Sequence, residues 1–148
     1  MSWGPALWRL LHSSAERFGS KPCRLPDEER RLWSQLLHAL RFCLPCPQCK
    51  THYQAYASRH PLASGFGRDA LRIWLYRLHS DVNQRLGKPD LALSEVEQVY
   101  GAPFCFSAAV EVIREGMRGA IQRGGCARED VGRALRVLEE MRRFYDFF

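Results

Sequence analysis

DALRIWLYRLHSDVNQRLGKP, residues 69 to 89, decides the fold class. Leu71, Trp74, Leu75, Leu78, Val82 and Leu86 recur at intervals of three and four, the repeat of one helix face turned toward a core. Gly87 and Pro89 close the element, since glycine accepts the left-handed turn that often follows a helix and proline cannot continue one. A strand would need apolar residues at every second position. Runs of that kind, rich in β-branched side chains, do not occur in this chain.

The helical period recurs outward from this segment in both directions. Residues 3–18 place Leu7, Leu11, Ala15 and Phe18 on one face, with Gly19 to Pro26 as exit loop. A second helix starts at Asp27, an N-cap behind Pro26, carries Leu32, Trp33, Leu36, Leu37 and Leu40, and ends at Leu44-Pro45. A third has Cys46 at the cap and Pro47 at its first position and runs to His60. Beyond 69–86, Ser94 and Glu97 predict a capping box for a short fifth helix ending near Gly101. A sixth spans 107–122 and stops at Gly124-Gly125. The seventh runs to the end with Val131, Ala134, Leu135, Leu138, Met141, Tyr145 and Phe148 on its stripe. The expectation is an all-α fold, a four-helix bundle with a short fifth helix and two additional C-terminal helices. With 148 residues, 46% of them apolar, one core suffices.

A formal charge of +6 favours acidic partners, but the arginines are spread along helices, as solvated faces require, and no nucleic-acid-binding module is recognisable. No membrane span and no signal or transit peptide is seen, so a soluble, cytoplasmic protein is expected, in the host cytoplasm if the source is a virus. Six cysteines, Cys23, Cys43, Cys46, Cys49, Cys105 and Cys126, then point to metal or redox chemistry more than to a secreted disulfide framework.

The cluster Cys43-Leu-Pro-Cys46-Pro-Gln-Cys49, with His52 three residues on, carries the chemistry. A helix starting at Cys46-Pro47 sets a thiol among unpaired backbone N–H groups, at the positive end of the helix dipole, which favours the thiolate. Cys49, one turn later, is in position to close a small ring with it. The same letters allow a zinc site from Cys43, Cys46, Cys49 and His52. Against zinc, Cys105 and Cys126 are isolated rather than paired at ligand spacing, and a helix starting at Cys46 fans the later side chains around its axis. An iron–sulfur cluster lacks its fourth cysteine, and a thioredoxin-like fold lacks its strands.

Two helices could line a flat cofactor. Trp8 and His12 stand one turn apart on the first, His79 and Asn83 one turn apart on the fourth, and Lys88 lies just past Gly87. Stacking rings, hydrogen-bonding groups and a cation near a dithiol suit a bulky aromatic nucleotide with a phosphate group.

WGPALWRLLH at 3–12, PCPQCKTHY at 45–53 and WLYRLHSDVNQRLGKP at 74–89 resemble, in order and spacing, the three signatures of the Erv/ALR flavin-linked sulfhydryl oxidases. The resemblance covers about residues 3–100 and is closest in character to virus-encoded members. It implies FAD bound without a covalent bond by a domain over 1–100, with 101–148 a helical extension packed on that domain or used for dimerisation. It also implies a homodimer, thiol-containing substrate proteins, and molecular oxygen as the acceptor giving hydrogen peroxide. By the same resemblance Cys46 exchanges with incoming thiols and Cys49 sits against the flavin ring. Trp8, His12, His79, Val82, Asn83, Leu86 and Lys88 fall on the positions that contact FAD.

The departures are Pro5 for the usual arginine, Ser80 for the usual asparagine, and Tyr76 and Leu93 where cellular members carry a structural disulfide. Apolar packing, including that of the C-terminal helices, is the expected substitute for that bridge. No adjacent shuttle pair is present in a tail; Cys43, Cys126 and Cys23 are candidates for a shuttle or a structural bridge. The alternatives are a zinc module on Cys43, Cys46, Cys49 and His52, and an interaction module using the seventh helix and the terminal FYDFF.

Overall fold

The computed structural model describes residues 2–22 and 24–148. Among them are seven helices and no strand: α1 Trp3–Glu16, α2 Pro26–Cys43, α3 Pro47–Arg59, α4 Arg68–Leu86, α5 Leu93–Tyr100, α6 Phe106–Gln122 and α7 Arg128–Tyr145. The all-α class that the spacing predicts is the class observed. None of these helices is long and apolar enough to cross a membrane. Cys23, one of the cysteines considered for a bridge or shuttle, lies outside the described residues.

Helix boundaries follow local chemistry, with two corrections to the caps. α2 takes Pro26 as its first residue and Leu25 as its cap, so Asp27 sits inside the first turn with Glu28 and Glu29. Proline has no N–H to lose there, and carboxylates in the first turn complement the dipole. α5 starts at Leu93 behind Ala92, which puts Ser94 inside the helix; no side-chain cap bond forms. α1 ends at Glu16 rather than Phe18, and the chain leaves it through Gly19. α4 closes as the sequence predicts, on Gly87 at φ 69.

α1 packs against α4, α5 and α6, while α2 packs against α3 and α7, and α6 pairs with α7. Leu10, Trp33, Leu36, Leu40, Leu71, Leu75, Ile113, Met117, Leu138 and Met141 fill the shared core. Each such side chain contributes about 1.5–3 kcal/mol by leaving water. α6 approaches α1 so closely at Gly116 that a Cβ there would stand 2.7 Å from the Trp3 Cβ. The α7 stripe, considered both as packing on the domain and as a surface for a partner, is covered within the chain: Val131, Ala134, Leu138, Met141 and Tyr145 are buried. Phe148 alone of that stripe stands out, 88% exposed.

Two polar networks fix the helices to one another. The Glu16 carboxylate takes Arg68 at 3.0 Å and Arg72 at 2.6 Å, tying α1 to α4. On the other side Tyr145 Oη donates to the buried Glu29 at 2.5 Å and accepts from Trp33 Nε1 at 2.9 Å, tying α7 to α2. Glu29 also accepts from the Gly19 N–H, so both oxygens of the carboxylate that burial would otherwise penalise have a partner.

Candidate functional site

α3 begins where the sequence places it. Cys46 is the N-cap, Pro47 the first helical residue, and the Cys46 sulfur accepts from the Cys49 N–H at 3.3 Å. The Cys46 thiol has a lowered pKa. Burial acts against ionisation, but bonds from the Cys49 side chain and N–H, from the Gln48 N–H, and the charge of Arg85 prevail. Cys49 is shifted the other way, by burial first and then by Cys46, with Arg85 opposing. One sulfur is therefore poised to carry charge and its neighbour to keep its proton.

Behind this pair lies a cavity of about 560 Å³ walled by α1, α4, Cys49 and the end of α5, within the size range of cofactor sites. Trp8, Cys49, His79, Val82, Asn83, Leu86 and Lys88 all line it. The Trp8 and His79 rings are stacked at 3.9 Å with 4° between their planes, presenting a flat wall. Leu7, Leu11, Leu40, Leu78 and Tyr53 make the interior apolar, while Arg9, Arg85 and Lys88 supply positive charge.

His12 is not on the cavity wall. It is 3% exposed behind His79, its Nε2 2.9 Å from His79 Nδ1, and Tyr100 stacks on it at 4.6 Å. Its role in this geometry is to position the His79 ring. Burial, then the charge of His79, lowers the His12 pKa to about 3. Burial lowers that of His79 to about 4, with Asp90 opposing and Lys88 assisting. Both rings are neutral at pH 7, so one donates and the other accepts.

Asn83 is committed in part elsewhere. Its amide donates to Asp90 at 3.0 Å and the Ser80 hydroxyl donates to the same carboxylate at 2.7 Å, which folds residues 87–92 back over α4. Ser80, a departure from the expected asparagine, thus has a structural partner. Tyr76 fastens the same loop, donating to the Leu91 carbonyl at 2.8 Å, so a hydrogen bond stands at a position where apolar packing was the expected substitute for a bridge.

The four residues considered for zinc do not converge. Cys43 is 0% exposed at the end of α2, and the His52 imidazole is 3.0 Å from Asp81 on α4. Among the described residues no group of three or more His, Cys, Asp or Glu could hold a metal ion. Cys126 is buried beside the Leu44 carbonyl, and Cys105 is exposed next to the chain's last residue.

Arg9, Arg85 and Tyr100 are among the site residues that the sequence did not single out. Arg85 follows Asp81 by one turn, on the face that looks at the thiols, and that spacing was a legible signal. Tyr100 sits at the end of a short helix whose docking no local pattern predicts; Arg17 holds it there through the Tyr100 carbonyl at 2.9 Å.

Comparison with known proteins follows the same boundaries. A family model described as the Erv1 / Alr family matches residues 5–101. An African swine fever virus protein named "FAD-linked sulfhydryl oxidase" is 32% identical over 100 residues, which are 68% of this chain and 81% of that protein. Rice and Arabidopsis proteins named "FAD-linked sulfhydryl oxidase ERV1" are 30% and 28% identical, over 69% of this chain in each case and 50% and 51% of theirs. No solved structure gives a significant match.

Proposed function

The chain belongs to the Erv1 / Alr family, and from that premise we propose that it is an FAD-linked thiol oxidase, turning substrate dithiols into disulfides and oxygen into hydrogen peroxide. The observation that carries this is the opening of the 560 Å³ cavity onto Cys49, with the helix-capped Cys46 beside it.

The residues present fit FAD. The stacked Trp8 and His79 rings offer a flat aromatic wall, Leu78 and Val82 an apolar one, and Arg9, Arg85 and Lys88 charges for its phosphates. When bound, FAD supplies an acceptor for the electron pair of a dithiol and a route from it to oxygen. The protein supplies the sulfur chemistry. A substrate thiolate attacks the Cys46 sulfur of the Cys46–Cys49 disulfide, the S–S bond opens, and Cys49 leaves and takes a proton. The substrate's second thiolate attacks the mixed disulfide at the substrate sulfur and expels Cys46. The depressed pKa of Cys46 makes it the better leaving group. The substrate departs as a disulfide, and the Cys46/Cys49 dithiol holds its two electrons and two protons.

Residues 1–100 carry this chemistry in our reading, and 101–148 serve as a helical extension. A homodimer must seat its second copy away from the α7 stripe, whose apolar residues are already buried. The experiment is to purify the protein, record its visible spectrum and follow oxygen uptake with dithiothreitol. A yellow protein whose uptake yields stoichiometric hydrogen peroxide is expected. A colourless protein containing stoichiometric zinc would overturn the proposal.

A further inference from the structure

We propose that Cys43 and Cys126 form a second dithiol, oxidised to an internal disulfide by the Cys46–Cys49 pair, that joins the α6–α7 turn to the active-site loop. The inference rests on the thiol oxidase function. Cys126 touches both flanks of the C-x-x-C: its sulfur lies 3.5 Å from the Leu44 carbonyl and 4.0 Å from Lys50 Nζ. Lys50 also donates to the Gly125 carbonyl at 2.5 Å, and Arg123 to the Pro45 carbonyl at 3.5 Å. The α6–α7 turn is therefore pressed onto the short link that joins Cys43 to Cys46.

Neither sulfur is open to an outside protein, since Cys43 is 0% and Cys126 8% exposed. Their partners must be internal. Cys126 stands against the carbonyl of Leu44, the residue next to Cys43, and the Cys43 thiol is pushed up to about 12 by burial first and by Cys126 next. Both thiols are buried beside the link between Cys43 and Cys46; burial raises the Cys126 pKa, and the charge of Lys50 opposes that rise and favours the attacking thiolate.

The exchange balances without a further reagent. The Cys126 thiolate attacks the Cys46–Cys49 disulfide, Cys49 leaves and takes a proton, and a mixed disulfide forms with Cys126. The Cys43 sulfur then attacks Cys126, giving the Cys43–Cys126 bond and releasing Cys46. Two thiols are oxidised and one disulfide is reduced, with both protons passing to Cys46 and Cys49.

The test uses holoenzyme reduced with a phosphine, desalted and returned to air. It is then denatured in N-ethylmaleimide and mapped without reductant, beside a portion treated with diamide. A peptide joining Cys43 to Cys126 is expected in air, and its loss in air but not in diamide for Cys49→Ser. Maleimide on both cysteines in every sample overturns the pair. Linkage in diamide but not in air, from protein that consumes oxygen with dithiothreitol, overturns transfer from Cys46–Cys49. If that oxygen consumption is also absent, the oxidase function has failed and the diamide sample alone decides the pair. In air-oxidised protein Cys126→Ala is expected to lower the thermal midpoint by about 5 °C or more. An equal drop under reductant would mean lost packing only, against the proposal.

Discussion

Arg85 shows how one side chain can set the division of labour between two sulfurs. Its charge lowers the thiol pKa of both Cys46 and Cys49, yet only Cys46 also holds the helix-start N–H bonds. In the reduced enzyme Cys46 is expected to alkylate faster than Cys49. Its pH midpoint should fall below the ~8.5 of a free thiol. Arg85→Met should move that midpoint upward while Arg85→Lys largely restores it, read from iodoacetamide rates by mass spectrometry. Equal midpoints in all three proteins would remove Arg85 from this role. At the same scale, Ser14 Oγ is the buried side-chain oxygen that lacks a hydrogen-bond partner among the described residues. Ser14→Ala is therefore expected to leave stability unchanged or raise it by up to about 1 kcal/mol in denaturant unfolding. Cys46, Pro47 and Cys49 were legible in the sequence because a helix start is a local event. Arg85 was legible only in part, since its partners come from another helix. His12 was correctly paired with Trp8 by spacing, but its burial behind His79 depends on how α1 meets α4, which no local pattern records.

Helices α1 and α4 wall the cavity, and the Glu16 carboxylate between Arg68 and Arg72 ties one to the other, as the His12–His79 bond does. Its side chain is 3% exposed. Removing its charge weakens the tie to two arginines that keep Asp69 nearby, so Glu16→Gln is expected to cost about 1–2 kcal/mol and to weaken flavin retention, measured by denaturant unfolding and by dialysis. Tyr145→Phe breaks the corresponding tie between α2 and α7, leaving Glu29 and Trp33 short of a partner, at about 1–3 kcal/mol, without loss of flavin. The extents of these helices were readable to within a turn because apolar spacing marks their faces. Their caps were less so: Asp27 and Ser94 have the chemistry of caps, but Pro26 and Leu93 already fit the first helical position. The fate of the α7 stripe was not readable either. An apolar stripe predicts burial and says nothing about whether the cover is α2 or another molecule.

For the whole molecule, the neutral His12–His79 pair sets an acid limit. Both pKa values lie below the ordinary 6.5, at about 3 and about 4, so the folded state resists protons that the unfolded chain accepts. The stability they contribute is complete above pH 6.5 and is lost as pH falls from there toward 4 and then 3. Flavin release and unfolding are expected to run together through that window, followed by fluorescence; His12→Gln should flatten the slope. The fold class was visible in helical spacing from end to end, and most of the cavity wall in two short stretches, because that wall sits largely on α1 and α4. In the proposed function electrons enter the flavin through Cys49. Its most direct test is anaerobic addition of dithiothreitol to the purified yellow protein and to Cys49→Ser, watching the visible flavin absorbance. The parent should bleach and recover in air, while Cys49→Ser stays yellow throughout. Bleaching of Cys49→Ser at the parent's rate would exclude Cys49 as the entry point.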